Sequence, residues 1–325
     1  MNLKTLSRRS VLAFAAAAAT LPATLLAQDS RPIEWVVGYP AGGGSDVVAR
    51  TVADAMGKTL GQTIVINNKP GAATNIAAGY VASAKDTGHL LFTADFATLA
   101  ANPWLFSKLP YNAEKDFIPV GMLARFPLLL VVHPSVPAKD FKEFAAWVKA
   151  QANPVGFASA GIGSPHHLAG ELLRERTGLK LQHVAYRGAA PAVQDLLGGQ
   201  VSFGLIDTAS VQQYVQSGKL RAIGVASPAR LATLPEIPTL IEQGVTDFTA
   251  FAWQGLVVPA GTPADAVAKY SKALQAALDS APVKARFQAL GLEGLPGSAQ
   301  QMASFTRQER ERWGKLVQSA GIKLD

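Results

Sequence analysis

The alternation of short apolar runs with helix-period segments constrains the fold of this chain more than any other feature. The apolar runs are IEWVVG, IVIN, LLFTA, LLLVVH, VGFASA, LQHVAY, VSFGLI, AIGVAS and GLVVPA. Between several of them, apolar residues recur with the i, i+3, i+4, i+7 spacing of a helix that buries one face. The two clearest stripes are Phe141, Phe144, Ala145, Val148 and Val48, Val52, Ala55, Met56. Strand, loop and helix in alternation predict an α/β protein with parallel sheets that are covered on both faces.

The first 27 residues have the layout of a secretory signal peptide. A basic start, MNLKTLSRRS, precedes the apolar run VLAFAAAAATLPATLLA, and we expect cleavage near Ala27 and export from the cytoplasm. The adjacent Arg8 and Arg9 resemble a twin-arginine signal. A membrane anchor is the alternative, but Thr20, Pro22 and Thr24 interrupt the run, which falls short of the roughly 20 apolar residues of a spanning helix. No later stretch is long and apolar enough, so we expect a soluble mature protein.

The 325 residues, 49% of them hydrophobic and 16% charged, are enough for a large core and favour two domains over one. No Ser/Pro linker divides the chain, so the borders are inferred from the placement of the strands. Residues 128–251 hold a self-contained set of strands and helices. Residues 28–127 and 252–325 are then expected to form the other domain, with the chain crossing between the two domains twice.

Charge and cysteine usage exclude several classes of function. Removal of residues 1–27 takes away three basic residues and no acid, so the net charge falls from +7 to +4. This weak positive charge is spread along the chain without a basic block, so we expect no nucleic-acid partner. The absence of cysteine excludes disulfides, thiol catalysis and thiolate metal sites.

Similar loops join several strands to the helices that follow them. They contain YPAGGGSD, NKPGAATN, ASAGIGSP and YRGAAP. In the first loop we expect Ser45 or Asp46 to cap the helix; in the third we expect Ser164 as the cap and Pro165 at the first helical position. Helix starts leave backbone N–H groups unpaired and attract anions. Each loop alone is equally consistent with an ordinary capped helix, but several together favour an anion-binding cleft.

Enzyme motifs do not fit these loops. The sixth residue from Gly42 is Val47, so the dinucleotide pattern GxGxxG fails, and no Lys-Ser/Thr follows the glycines as in a phosphate-binding P-loop. The nucleophile pattern GxSxG is also absent around Ser45 and Ser164. We therefore expect no catalysis, although Asp46 or Asp207 as a general base stays the alternative.

The adjacent His166 and His167 do not form a zinc site, because neighbours in a helix do not face one point. We expect one of them to line a cleft and the other to be solvated. No third ligand is placed by its spacing, so we expect no metal and no cofactor. Trp253 stands where the chain crosses between domains, and it is a candidate for packing against a ligand.

The string of motifs resembles the Bug family, the periplasmic solute receptors of tripartite tricarboxylate transporters. The resemblance covers essentially the whole mature chain and includes YPAGGGSD, NPWLFSKLPYNAEKDFIPVGML, GSPHHLAGELL, YRGAAPAVQDLLGGQV and GKLRAIGVASPARLATLPEIPTLIEQG. It implies a two-domain α/β fold of the periplasmic-binding-protein (flytrap) type with two crossing strands. It also implies binding of a small carboxylate between the domains, membrane transporter subunits as partners, and no catalysis. We expect a monomer.

The resemblance also implies a set of ligand-binding residues. They are Tyr39, Ala41, Gly42, Gly43, Ser45 and Asp46 in the first loop, Ala73, Thr74 and Asn75 in the second, Ser159, Gly163, Ser164 and His167 in the third, Tyr186, Arg187 and Gly188 in the fourth, and Asp207 near the distal end of the ligand. In the family the carboxylate is held largely by backbone amides and water, which fits the scarcity of arginine in these loops.

Three departures from the family pattern bear on which ligand binds. The second loop has Ala73 and Thr74 where glycine is more common, Ser202 stands where aspartate is usual, and His89 replaces a tyrosine. The sequence leaves the ligand open among aromatic acids, short dicarboxylates, and amino or hydroxy acids. It also leaves open whether the receptor feeds a transporter or a sensor.

Overall fold

The computed structural model of the protein describes residues 31–324, so the expected signal segment and its cleavage site lie outside the described residues. From Pro32 onward, the described residues form one compact unit. Its strands are β1 Ile33–Val37, β2 Ile64–Asn68, β3 Leu90–Asp95, β4 Phe117–Val132, β5 Val155–Ser159, β6 Leu181–Ala185, β7 Phe203–Asp207, β8 Arg221–Val225, β9 Phe251–Pro259 and β10 Glu293–Gly294.

Helices connect most of these strands, as the alternating pattern predicts. They are α1 Gly44–Leu60, α2 Asn75–Ala82, α3 Asn102–Leu105, α4 Phe141–Lys149, α5 Pro165–Thr177, α6 Ala189–Leu197, α7 Thr208–Gln216, α8 Ala264–Asp279, α9 Ala281–Ala289 and α10 Ala299–Ser319, with a 3₁₀ turn at Ala72–Thr74 and a π-helical turn at Ala97–Ala101. Phe141, Phe144 and Val148 are buried along one face of α4, and Val48, Val52 and Met56 along one face of α1. The helical stripes are therefore confirmed.

The strands form one continuous series that consists of two sheets sharing β4. The strand order is β2-β1-β3-β9-β4-β7-β5-β6, and β8 and β10 also pair with β4. The first part of β4 pairs with β9 as far as Pro127, which lies opposite Phe251. From Leu128 onward, β4 pairs with β7 and β8. The change of partner falls beside the expected domain borders at residues 127/128 and 251/252, which stay predictions.

The sheets are mixed, so the expectation of purely parallel sheets is wrong. The parallel pairs are β1 with β2 and β3, and β5 with β6 and β7. The long β4 and the returning β9 are antiparallel to each other and to their other neighbours in the series. The chain passes from one domain to the other along β4 and returns along β9. These two strands therefore run in opposite directions, whatever the strand order within each domain.

The core contains most of the large aromatic residues. Trp35, Trp253 and Trp313 are at most 1% exposed, whereas Trp104 is 37% exposed. Trp253 packs edge-on against Phe96, and its indole N–H donates to Glu309 Oε2 at 3.1 Å. Trp253 is thus a core residue, and the expectation that it contacts a ligand is wrong. None of the helices in residues 31–324 has the length and apolar character needed to cross a bilayer.

Candidate ligand site

The four loops singled out in the sequence lie at the carboxyl ends of β1, β2, β5 and β6, before helices, and Asp207 ends β7. This is the edge at which α/β proteins bind ligands. The first loop, residues 38–43, joins β1 to α1. Gly42 has φ +81°, a left-handed conformation that favours glycine, and its N–H donates to Asp46 Oδ2 at 2.8 Å. The loop therefore folds back on the first turn of α1.

The Asp46 carboxylate holds the first loop together. It is 2% exposed and also accepts from Arg50 Nε and Asn68 Nδ2, each at 2.9 Å. Burial raises the pKa of Asp46, but the hydrogen bonds from Arg50, the Gly42 N–H and Asn68 outweigh burial and leave that pKa below its usual value. The carboxylate stays ionised and is bound by the protein itself.

The cap prediction for α1 is wrong. Gly43 is the N-cap and makes no side-chain cap bond, so Ser45 and Asp46 lie inside the first turn. The helix begins earlier than expected because the side chain of Asp46 bonds back to the loop rather than to the turn ahead of it. The Ser45 hydroxyl accepts a hydrogen bond from Gln254 Nε2 on β9. The first backbone N–H groups of α1 have no partner within the helix.

A buried aspartate joins the first loop to the second. The Tyr39 hydroxyl donates to Asp95 Oδ2 at 2.5 Å, and Asp95 Oδ1 accepts from the Thr98 N–H and hydroxyl at 2.9 Å each. Burial raises the pKa of Asp95 in spite of these bonds. Burial, and after it the charge of Asp95, raises the pKa of Tyr39 as well. Thr98 Oγ1 lies 2.8 Å from Thr74 Oγ1 in the second loop, so the two loops share one network.

The second loop is strained. Ala72, Ala73 and Thr74 have φ of +46°, +50° and +73°, a region that costs a non-glycine residue about 1–3 kcal/mol. Asn102 fixes this conformation, since its Nδ2 donates to the Ala73 carbonyl at 2.7 Å and to Asn75 Oδ1 at 2.8 Å. The loop thus turns into α2 in one defined geometry.

The third loop, residues 160–164, joins β5 to α5 and confirms the predicted cap. The Ser164 hydroxyl accepts from the His167 N–H at 3.2 Å, and Pro165 occupies the first turn of α5. The Gly163 N–H donates to His167 Nδ1 at 3.0 Å. The His167 ring is thereby directed at its own loop.

Both adjacent histidines are 4% exposed, so the expectation that one of them is solvated is wrong. His167 stacks on His183 with ring centroids 3.7 Å apart, and His183 Nε2 lies 2.5 Å from Ser159 Oγ. Burial, and after it the proximity of His183 and Arg174, lowers the pKa of His167 to about 3. Burial lowers the pKa of His183 to about 4. The pair is a neutral stack beneath the third loop.

The fourth loop lies against the third. The Tyr186 N–H donates to the Ser159 carbonyl at 3.1 Å, and the Gly188 N–H donates to the Ala160 carbonyl at 3.2 Å. The Tyr186 hydroxyl donates to Asp195 Oδ2 at 2.8 Å, whereas Arg187 is exposed. Gly188, at φ +115°, is the N-cap of α6 without a side-chain cap bond. Arg187 and the start of α6 place positive charge at the same edge.

Asp207 is committed to contacts inside the protein. Its Oδ1 and Oδ2 accept from the N–H and hydroxyl of Ser210 at 3.0 Å each, and its Oδ2 lies 3.1 Å from His166 Nε2. Burial raises the pKa of Asp207, but His166 and the Ser210 bonds outweigh burial and lower it. Asp46, Asp95 and Asp207 are therefore all bonded to donors of the protein itself.

The family of the chain follows from comparison with known proteins. Residues 48–322 match the model of the tripartite tricarboxylate transporter family receptor. The chain belongs to this family.

Solved structures of related receptors share the fold. The periplasmic binding protein BugD is 36% identical, with a TM-score of 0.82 over 90% of this chain and 98% of that one. R. palustris Rpa4515 with adipate is 29% identical, with a TM-score of 0.85 over 91% and 99%. MatC (Rpa3494) from Rhodopseudomonas palustris with bound malate is 35% identical, with a TM-score of 0.81 over 89% and 99%. The predicted two-domain periplasmic-binding-protein fold and the resemblance to the Bug family are confirmed.

Two of the three departures from the family pattern lie away from the loops of this receptor. His89 precedes β3 and Ser202 precedes β7, whereas Asp95 and Asp207 end those strands. At about 3.3 Å per strand residue, roughly 16–20 Å separates the two ends. His89 and Ser202 are therefore not expected to contact a ligand at these loops, and their effect on the choice of ligand stays a prediction. Ala73 and Thr74 stay candidates.

Sequence reasoning missed the residues that support the loops from a distance. Gln254 contacts Ser45, Asn102 holds the second loop, and His183 stacks under the third. In the sequence Gln254 and His183 lie in strands and Asn102 in a short helical segment, so no glycine-loop or helix-cap pattern indicates them. Polar residues inside otherwise apolar runs, such as FAWQGLVV and LQHVAY, were the available signal.

Grooves on the receptor surface lie apart from these loops. One of about 420 Å³ is lined by Leu278, Phe287 and Gly291, among other residues, and one of about 380 Å³ is lined by Leu220 and Ile237, among others. Neither groove is lined by a candidate residue, and the loops are candidates on their position at the strand ends and on their hydrogen bonds. No group of three or more metal-ligating side chains occurs within residues 31–324.

Proposed function

We propose that this receptor binds a small organic carboxylate at the loops that follow β1, β2, β5, β6 and β7. The observation that carries the proposal is that the aspartate carboxylates at this edge of the sheet are already hydrogen-bonded within the protein. Asp46, Asp95 and Asp207 are each bonded to donors of the protein itself. The starts of α1, α2, α5 and α6 and the exposed Arg187 leave a surplus of donors for an anion.

The proposed binding residues fall into two groups. Backbone N–H groups of the turns bind the carboxylate, because glycines and small residues let it approach the chain closely. Side chains at the same edge, the exposed Arg187 among them, bind the rest of the ligand. The set is Tyr39, Ala41, Gly42, Gly43, Ser45, Asp46, Ala73, Thr74, Asn75, Ser159, Gly163, Ser164, His167, Tyr186, Arg187, Gly188 and Asp207, together with the N–H of Gly44, the first residue of α1. Asp46, His167 and Asp207 act through the loops that they hold.

A comparison of the free energies of binding favours closure of the two domains around the ligand. A hydrogen bond to a charged group contributes roughly 1.5–3 kcal/mol, so two or three together contribute about 4–8 kcal/mol. Association costs about 4–15 kcal/mol. Hydrogen bonds to the carboxylate from one domain alone would barely offset the free-energy cost of association. Burial of the rest of the ligand between the two domains supplies the remaining free energy.

The relatives indicate the size of the ligand. Adipate and malate, bound by two related receptors, are both short aliphatic dicarboxylates. They favour this class over aromatic acids as the first ligands to test.

The same proposal covers partners and location. The protein is exported by its amino-terminal segment, with a signal that resembles the twin-arginine type, and works in the periplasm as a monomer. It delivers its ligand to the membrane subunits of a tripartite tricarboxylate transporter. It performs no catalysis and uses no cofactor.

The test is a thermal-shift panel on purified protein that has been unfolded and refolded to remove any bound ligand. The panel contains mono-, di- and tricarboxylates, aromatic acids, acidic amino acids and nucleotides. A ligand at a hundred times its Kd stabilises the native state by about 2.7 kcal/mol, so we expect a clear rise in Tm with short dicarboxylates. A rise with nucleotides alone, or no rise with any carboxylate, would contradict the proposal.

A further inference from the structure

Gln254 presents an unusual polar atom at the start of α1. It lies on β9 directly opposite Asp95 of β3, and its side chain is 5% exposed. The amide Nε2 donates to Ser45 Oγ in the first turn of α1. The amide oxygen, Oε1, is buried and has no hydrogen-bond partner among the described residues.

A buried acceptor without a donor is unfavourable in a folded protein. Several donors in and beside the first loop have their hydrogens committed. The Tyr39 hydroxyl donates to Asp95, and the Gly42 N–H and Arg50 Nε donate to Asp46. A donor from outside the protein is therefore the fitting partner for Gln254 Oε1.

The position of this oxygen limits the chemistry of that donor. It belongs to the same amide group as the nitrogen that contacts Ser45, so it lies beside the unpaired N–H groups of the first turn of α1. Those N–H groups attract carboxylate oxygens, whereas an amide oxygen repels them and attracts O–H or N–H. A ligand that satisfies both has a hydrogen-bond donor next to its carboxylate.

We propose that Gln254 is a specificity-determining residue and that this receptor prefers carboxylates with a hydroxyl or amino group on the carbon next to the carboxylate. The inference rests on the proposed function and narrows it. The ligand carboxylate binds the start of α1, and its neighbouring hydroxyl or ammonium donates to Gln254 Oε1. A plain acid of the same length leaves this oxygen unpaired and binds more weakly.

The experiment measures Kd by calorimetry for matched ligands on purified, ligand-stripped protein. The matched sets are succinate, malate and aspartate, and glutarate, 2-hydroxyglutarate and glutamate. We expect the substituted acid to bind about 5- to 100-fold more tightly than the plain acid, the range that corresponds to one satisfied buried acceptor. Comparison of the hydroxy and amino members identifies which donor the site takes.

Gln254→Leu and the more nearly isosteric Gln254→Met are expected to abolish that preference, because the affinity for the substituted acid falls to that for the plain acid. Gln212→Leu is the matched control. Gln212 also has a buried, unpartnered Oε1, but it lies on α7 beside Gly291. The preference should survive in that variant.

Three results would overturn the inference. Equal affinity of the wild-type protein for plain and substituted acids would remove it while leaving the proposed function standing. An equal loss of both affinities in Gln254→Leu and Gln254→Met would make Gln254 a support for Ser45 rather than a contact for the ligand. Binding of no carboxylate at all would overturn the proposed function as well. The wild-type comparison holds even if a variant fails to fold.

Discussion

Replacement of Gly44 by proline is expected to weaken carboxylate binding by about 10- to 100-fold while α1 still forms. Gly44 is the first helical residue, and Gly43 before it has φ −76° and ψ 168°, which suits the residue that precedes proline. Proline at this position costs the helix little, because the missing N–H has no helical partner. The site loses the N–H of Gly44, which we propose binds the ligand through a hydrogen bond that contributes roughly 1.5–3 kcal/mol. Calorimetry with the acid that gives the largest thermal shift measures the loss.

Two variants control for side effects of that change. Gly44→Ala keeps the N–H and adds a Cβ 3.4 Å from the Phe126 ring, so most of the affinity should remain. Ala299→Pro makes the same kind of change at the first residue of α10, whose N-cap is Ser298, and should bind normally. If Gly44→Pro bound as tightly as Gly44→Ala, the start of α1 would not be the carboxylate site.

The stability of the protein is expected to fall by about 2 kcal/mol between pH 7.5 and pH 5.5 because of the His167–His183 stack, with the contribution of the partly exposed His183 reduced by solvent screening. The pKa values of His167 and His183 are lowered to about 3 and about 4, whereas an unfolded histidine has a pKa of about 6.5. The unfolded chain therefore binds more protons below pH 6.5, and each histidine then favours unfolding by up to about 1.4 kcal/mol per pH unit. Urea denaturation at a series of pH values measures the slope.

The variant His183→Gln tests which groups cause the slope. It should lose one of the two contributions, so its free energy of unfolding should fall less steeply through this range, whatever its absolute stability. Protonation of His167 at Nδ1 would also break the hydrogen bond from the Gly163 N–H at 3.0 Å. Because the pKa of His167 in the folded protein is about 3, that protonation does not occur down to pH 5.5, so ligand affinity should stay unchanged through this range. An unchanged slope in His183→Gln would contradict the assignment.

Much of the fold could be predicted because it depends on neighbours along the chain. The stripe at Phe141, Phe144 and Val148 and the cap at Ser164 are local patterns, and the structure has both. The direction of β4 against β9 could not be predicted in the same way. It depends on the chain returning from the other half of the molecule, as the pairing of Pro127 with Phe251 shows, and no local pattern records that return.

The sequence by itself determined where the loops of the site begin, because glycine turns and helix starts are local and recognisable. Tertiary structure alone decided which atoms those loops leave available. Asp46 is bound by Asn68 and Arg50, and Asp207 by His166. The amide of Gln254 reaches Ser45 across 209 residues of chain. A side chain that finds its partner within the fold is no longer free for a ligand, and that partner is set by packing between distant segments rather than by spacing along the sequence.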